Sequence, residues 1–174
     1  MEQTFSRRGF LKGAAAAALA VSAMGLTGCS TECSTDAGAE PSTAVILGDY
    51  KVDLDLKRSV LGKNGDGSAT VKLSVFVTNN DAGAAAMPFI RSMFPSLYAG
   101  ETELKAGNSK TEFATLPMRV PTECTPCFII EDADLYQQVN SGAIDLKLTV
   151  KLSGQTAVYT LNFGTLTKTV EKIG

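Results

Sequence analysis

Polar and apolar residues alternate with a period of two wherever a period can be followed along this chain. Val52, Leu54 and Leu56 are interleaved with Asp53, Asp55 and Lys57. Val71, Leu73, Val75 and Val77 are interleaved with Lys72, Ser74, Phe76 and Thr78, and Ile144, Leu146, Leu148, Val150 and Leu152 with Asp145, Lys147, Thr149 and Lys151. Successive side chains of an extended strand point to opposite faces, so each run predicts a strand with one face buried and one wet. Between the first two runs, Gly62-Lys63-Asn64-Gly65-Asp66-Gly67-Ser68 is dense in residues that tolerate positive φ and predicts a hairpin. Two more hairpins are expected, one where residues 94 to 99 and 102 to 106 flank Ala99-Gly100-Glu101, and one where residues 155 to 163 follow Ser153-Gly154.

One segment changes period. In Asp132-Ala133-Asp134-Leu135-Tyr136-Gln137-Gln138-Val139, Leu135 and Val139 lie four apart, Asp132 is placed to cap, and Gly142 follows soon after the end. This predicts one short helix across an opening of the domain. Acids in the first turn of a helix are favoured by its dipole, so Glu131, Asp132 and Asp134 need no catalytic role. The pattern as a whole predicts an all-β fold, an immunoglobulin-like or fibronectin-like antiparallel β-sandwich of about seven strands with one short helix.

The chain begins differently. Ser6-Arg7-Arg8-Gly9-Phe10-Leu11-Lys12 resembles the twin-arginine export signal, and the alanine-rich run 13 to 26 that follows is shorter than the roughly twenty residues of a spanning helix. Leu26-Thr27-Gly28-Cys29 resembles the bacterial lipobox, in which the cysteine takes a diacylglyceryl group and becomes the mature N-terminus. Residues 1–28 are therefore read as a lipoprotein signal peptide, 29–43 as a lipidated flexible tether and 44–174 as the folded domain. Two or three acyl chains anchor stably where one binds only marginally. The expected location is the extracytoplasmic face of the cell membrane, held by lipid on Cys29.

Charge and composition narrow the function classes. The chain has 16 basic and 18 acidic residues; removing 1–28 takes three of the former and one of the latter, leaving 13 against 17 and a net charge near −4. That balance argues against a nucleic-acid partner, whose phosphates call for a basic face. The chain has no histidine, which removes Ser-His-Asp and Cys-His arrangements and histidine-bound metals. The Gly62 to Ser68 run lacks the alternating oxygen ligands and closing glutamate of a calcium loop. Carboxylate pairs and serine-lysine arrangements stay formally possible, but no spacing proposes one, and no cofactor is expected.

The chemically pointed stretch is Glu123-Cys124-Thr125-Pro126-Cys127-Phe128. Outside the membrane thiols tend to pair, so a local disulfide between Cys124 and Cys127 fastening a turn is the first expectation. Its tiny loop would contribute only about 2 kcal/mol through chain entropy. The second is thiol-disulfide exchange with Cys124 as nucleophile and Cys127 as resolving thiol, since the proline sits where thioredoxins have one. A helix opening at the first cysteine would be needed to lower its pKa, and Phe128-Ile129-Ile130 reads as a strand instead. A third reading, a metal clip through Cys33, Cys124 and Cys127, would need a fourth ligand, for which an acid such as Glu123 is the conceivable one.

The order of features resembles the type-two late embryogenesis abundant domain, also called WHy, over roughly residues 50 to 170. The resemblance is carried by Val77-Thr78-Asn79-Asn80, Met87-Pro88-Phe89-Ile90, Leu97-Tyr98-Ala99-Gly100-Glu101-Thr102-Glu103-Leu104-Lys105-Ala106-Gly107, Leu116-Pro117, Asp134-Leu135-Tyr136 and Gly142-Ala143-Ile144. It implies a seven-stranded sandwich with a single helix, no catalytic residues, no cofactor, and protection of membranes or proteins under water stress. The expected function is thus non-enzymatic, a tethered binding or stress-protective domain. Met87, Phe89, Ile90, Met93 and Phe94, in a segment interrupted by Pro88 and Pro95, are the candidate surface for a protein or membrane partner, with core packing beneath a loop as the alternative.

Overall fold

The computed structural model describes residues 43–86, 88–111 and 115–173. The export signal with Arg7 and Arg8, the lipidation site Cys29, the tether with Cys33, and Met87 lie outside the described residues. Among the described residues, fourteen strand segments and two helices follow in order: β1 (Val45–Leu47), β2 (Tyr50–Lys63), β3 (Ala69–Asn79), β4 (Ala85–Ala86), α1 (Ile90–Met93), β5 (Ser96–Ala99), β6 (Thr102–Glu103), β7 (Lys105–Ala106), β8 (Lys110–Thr111), β9 (Thr115–Leu116), β10 (Thr122–Thr125), β11 (Cys127–Ile130), α2 (Ala133–Ser141), β12 (Leu146–Leu152), β13 (Gln155–Asn162) and β14 (Thr167–Ile173). The fold is mostly β, with antiparallel sheets, as the alternation predicts.

The larger sheet runs β1-β2-β3 and then β10 and β11, which pair outward with β8 and β7. The smaller is β14-β13-β12-β5-β6, and β4 with β9 forms a two-stranded ribbon. Both sheets feed one core. The buried rows Val52, Leu54, Val71, Leu73, Val75 and Val77 come from the larger sheet, and Leu146, Leu148, Val150, Ala157, Tyr159 and Leu161 from the smaller. Tyr159, wholly buried, donates its hydroxyl across the core to the Val52 carbonyl at 2.8 Å.

The expected count of about seven strands with a single helix is corrected. Proline, glycine and sheet-switching residues cut the expected strands into pieces. The hairpin around Gly100 forms, but after Thr102–Glu103 the chain leaves the smaller sheet through buried Leu104 and joins the larger one as β7. Helix α1 is a single turn whose Ile90 and Met93 point into the core. Helix α2 follows the predicted signals closely. Asp132 caps it, accepting from Asp134 N at 2.7 Å and Leu135 N at 3.1 Å. Gly142 ends it at φ +79°, where a Cβ would stand 2.5 Å from Asn162 Oδ1. The next strand therefore starts at Leu146 rather than Ile144, because Ala143 N and Ile144 N turn back to Gln138 O.

The open side between the sheets is closed by lysines. Beyond the short β1, the edge of β2 is unpaired, and Lys168 of β14 reaches it, donating to the Leu54 carbonyl and pairing with Asp53 at 2.9 Å. Lys172 donates to the Ile46 carbonyl at 3.2 Å. Inward charges on an edge strand also discourage pairing with another chain. Tyr159→Phe removes a buried bond while keeping the ring, and is expected to cost about 1–2 kcal/mol; urea unfolding should show a lower midpoint with an unchanged slope.

Candidate functional site

The Cys124 to Cys127 stretch is extended and not a turn, with β10 and β11 continuing in line across Pro126. Cys124 pairs with Val75, and Cys127 pairs with Lys72, so the register against β3 is the same on both sides of Pro126. Proline cannot donate, and the ladder at that point keeps the single bond from Leu73 N to Pro126 O, 3.0 Å. The two cysteines are therefore three residues apart in one extended segment. That places their Cα atoms about 10 Å apart and their side chains on opposite faces, beyond the roughly 7 Å that a disulfide can bridge. Both are free thiols, and the expected Cys124–Cys127 disulfide is corrected.

Each thiol has its own surroundings. Cys124 lies in the common core, fully buried. Burial, assisted by the negative charge of Glu123, pushes its pKa up from near 9 to about 12. Cys127 faces the other way and is only 7% exposed, because the segment between β7 and β8 folds over it. Burial raises its pKa, partly offset by the charge of Lys72. The neighbouring chain buckles there. Cys127 N donates to Ser109 Oγ at 3.0 Å, and Gly107 N donates to Cys127 O at 2.7 Å. A Cβ on Gly107 would stand 2.9 Å from Cys127 Sγ, so this position takes no side chain without movement.

A second irregularity lies on the same outer face. Asp55 pairs with Ser74 and Val60 with Lys72, so residues 56 to 59 of β2 stand opposite Leu73 alone. The loop is held from within: Asp55 Oδ1 accepts from Lys57 N and Arg58 N, and Ser59 Oγ donates to Asp55 O at 2.8 Å. Ser59 Oγ also accepts from Ser74 N at 3.0 Å, replacing the lost ladder bond. Arg58 crosses the Phe76 ring at 5.1 Å and meets Glu123 at 3.1 Å, and Glu123 accepts the buried Ser74 hydroxyl at 2.5 Å. The sequence carries a signal for this loop, since Lys57-Arg58-Ser59 puts three polar residues where alternation would have one apolar.

The expected contact surface divides. Ile90, Met93 and Phe94 are 6%, 0% and 3% exposed and pack in the core, while Phe89 is 70% exposed. Of the described members only Phe89 faces outward, and the rest are corrected to core positions, since the single turn of α1 buries its apolar side against β12. The alternation did not reveal a cleft of about 560 Å³ beside the unpaired edge of β2, walled by Leu54, Leu56, Phe76 and Leu166. Its Asp53 and Lys168 are paired to each other. Among the described residues no group of three or more acids and cysteines is disposed to hold a metal, and no helix is long and apolar enough to cross a membrane.

Compared with known proteins, the chain matches no family model, no curated protein and no solved structure.

Two outcomes test these surroundings. Unfolding lets Cys124 ionise near pH 9 while the folded thiol stays protonated to about 12. Its contribution is thus complete below pH 9 and is lost as pH rises toward 12, by at most about 1.4 kcal/mol per pH unit. Denaturation between pH 9 and 10 should show falling stability, to which the raised Cys127 thiol and, as unfolded tyrosine begins to ionise, the buried Tyr159 hydroxyl also contribute, and Cys124→Val should reduce the slope. Gly107→Ala is expected to cost about 1–3 kcal/mol by overpacking. Cys127→Ala should recover most of that loss in the double variant; equal penalties in both backgrounds would place the constraint elsewhere.

Proposed function

We propose that this chain is a lipid-anchored extracytoplasmic protein whose two sheets form an immunoglobulin-like β-sandwich, and that it acts as a non-enzymatic binding or protective domain. The observation that carries the non-enzymatic part is the placement of Cys124 and Cys127 on opposite faces of one strand. A dithiol exchanger closes a disulfide between its two cysteines in each cycle, and here closure would require the central sheet to come apart. A thiolate is also the attacking species in such chemistry, and burial holds Cys124 protonated across the physiological range. The core shared by the two sheets and the Tyr159 bond between them support the sandwich reading.

The anchor rests on Leu26-Thr27-Gly28-Cys29 and the export route on Arg7 and Arg8. The protective role rests on the resemblance to the WHy domain and is the more specific part of the proposal. Its test compares the chain with an equal mass of an unrelated β-sandwich protein for the recovery of a freeze-labile enzyme after repeated freezing. Higher recovery at equal mass is expected, and equal recovery would remove the protective role while leaving a binding role in place.

A further inference from the structure

The two ends of the described domain differ in charge and in exposed apolar surface. At the end where the 64–68 turn joins β2 to β3 and α2 leads into β12, Asp66, Glu101, Glu131, Asp132, Asp134 and Asp145 are all exposed. The cations beside them are engaged, Lys63 over the Tyr136 ring at 5.0 Å and Lys105 with Glu131 at 2.7 Å. This end presents acid to its surroundings.

The opposite end is organised by Asn79, which is fully buried. Its Nδ2 donates to Gly83 O at 2.7 Å, its Oδ1 accepts from Asp81 N at 3.0 Å, and its carbonyl accepts from Arg119 N at 2.7 Å. Ala85 pairs with Leu116, so the loops at 80–84 and 117–121 are tied together. This end exposes Phe89, Met118 and Val120, three of the seven large apolar side chains exposed among the described residues. Phe89 is the most exposed of the seven at 70%. Arg91 and Arg119 stand exposed beside them, balanced by Asp49 and Asp81.

We propose that this Asn79 end lies against the phospholipid surface to which the chain is tethered, with Phe89 inserted at headgroup level and the acidic end turned away. The inference rests on lipidation of Cys29. Thirteen residues separate Cys29 from Thr43, and the fourteen steps between them reach at most about 48 Å at 3.4 Å each. Thr43 is four residues from Leu47 at the Asn79 end, about 13 Å along the strand, so the tether is long enough for that end to touch the bilayer. Tethering turns docking into an intramolecular event at high effective concentration, so a small apolar contact suffices. An aromatic ring flanked by arginines suits the boundary between headgroups and acyl chains. An anionic leaflet repels the acidic end, which sets the orientation.

The chain has no tryptophan, so one introduced ring reports alone. The lipidated full chain carrying Phe89→Trp, and separately Glu101→Trp at the acidic end, is placed on vesicles of phosphatidylglycerol and phosphatidylethanolamine with and without brominated acyl chains. Phe89→Trp emission should shift to the blue and lose intensity on brominated lipid, while Glu101→Trp keeps its water-exposed emission. Flotation of the same samples, with Cys29→Ala beside them, separates the two layers of the proposal. A chain that floats with Phe89→Trp unquenched overturns the orientation and leaves the anchor standing, whereas a lipidated chain that does not float overturns both. A blue shift that appears without vesicles and grows with protein concentration assigns the patch to a second copy of the chain and also overturns the proposal.

Discussion

The register between β3 and residues 122–130 is the constraint on which the rest depends. Ala69, Val71, Leu73, Val75 and Val77 are buried on one face of β3, and Thr122, Cys124, Phe128 and Ile130 are buried beside them. Because the side-chain period of a strand is two, a slip of one residue would carry Glu123, Thr125 and Ile129 into the core and expose the apolar row. Each buried aliphatic or aromatic side chain is worth about 1.5–3 kcal/mol, whereas the bond missing at Pro126 is worth about 1 kcal/mol. Burial wins, so the strand runs straight through the proline.

The same constraint sends irregularity outward. Extra residues at 57 to 59 and the buckle at 107 to 109 cannot be absorbed on the core side without opening it, and both settle over the outer face of the larger sheet, while Leu56 stays in the core. Ser74 and Cys127 become buried there although they point away from the core. Their polar atoms find partners close by, in Glu123, Ser59 and Ser109. The groups with most chemical potential are thereby separated, one thiol sealed in the core and the other under a glycine. Lys168 and Lys172 likewise satisfy edge carbonyls across the open side, and Lys168 and Asp53 of the cleft are occupied by each other.

The ends of the domain are where loops are free of the register. One end is acidic and crossed by α2; the other gathers its loops on a single buried asparagine and shows an aromatic ring and two arginines. A domain with such an axis is suited to standing in a chosen orientation on a surface. That division of labour, a rigid core of sheets and chemistry confined to connections, is common where loops carry binding.

Much of the fold was legible in the chain because it is local. Alternation in 52–57, 71–78 and 146–152 determined the strands and their buried faces, the Gly and Asn runs determined the hairpins, and Asp132 with Gly142 determined α2 at both ends. The export-signal, lipobox and tether readings rest on the sequence alone, since they are short linear motifs outside the described residues. What only the tertiary structure decided was everything that depends on which distant strand lies alongside. Pro126 reads locally as a turn and becomes part of a strand because β3 holds both sides of it, and the disulfide vanishes with the turn. Ile90, Met93 and Phe94 read as a patch with Phe89, and a single turn of helix divides them. Local propensity is worth tenths of a kcal/mol per residue, while burial of a whole face is worth many times that, so where the two disagree the distant partner prevails.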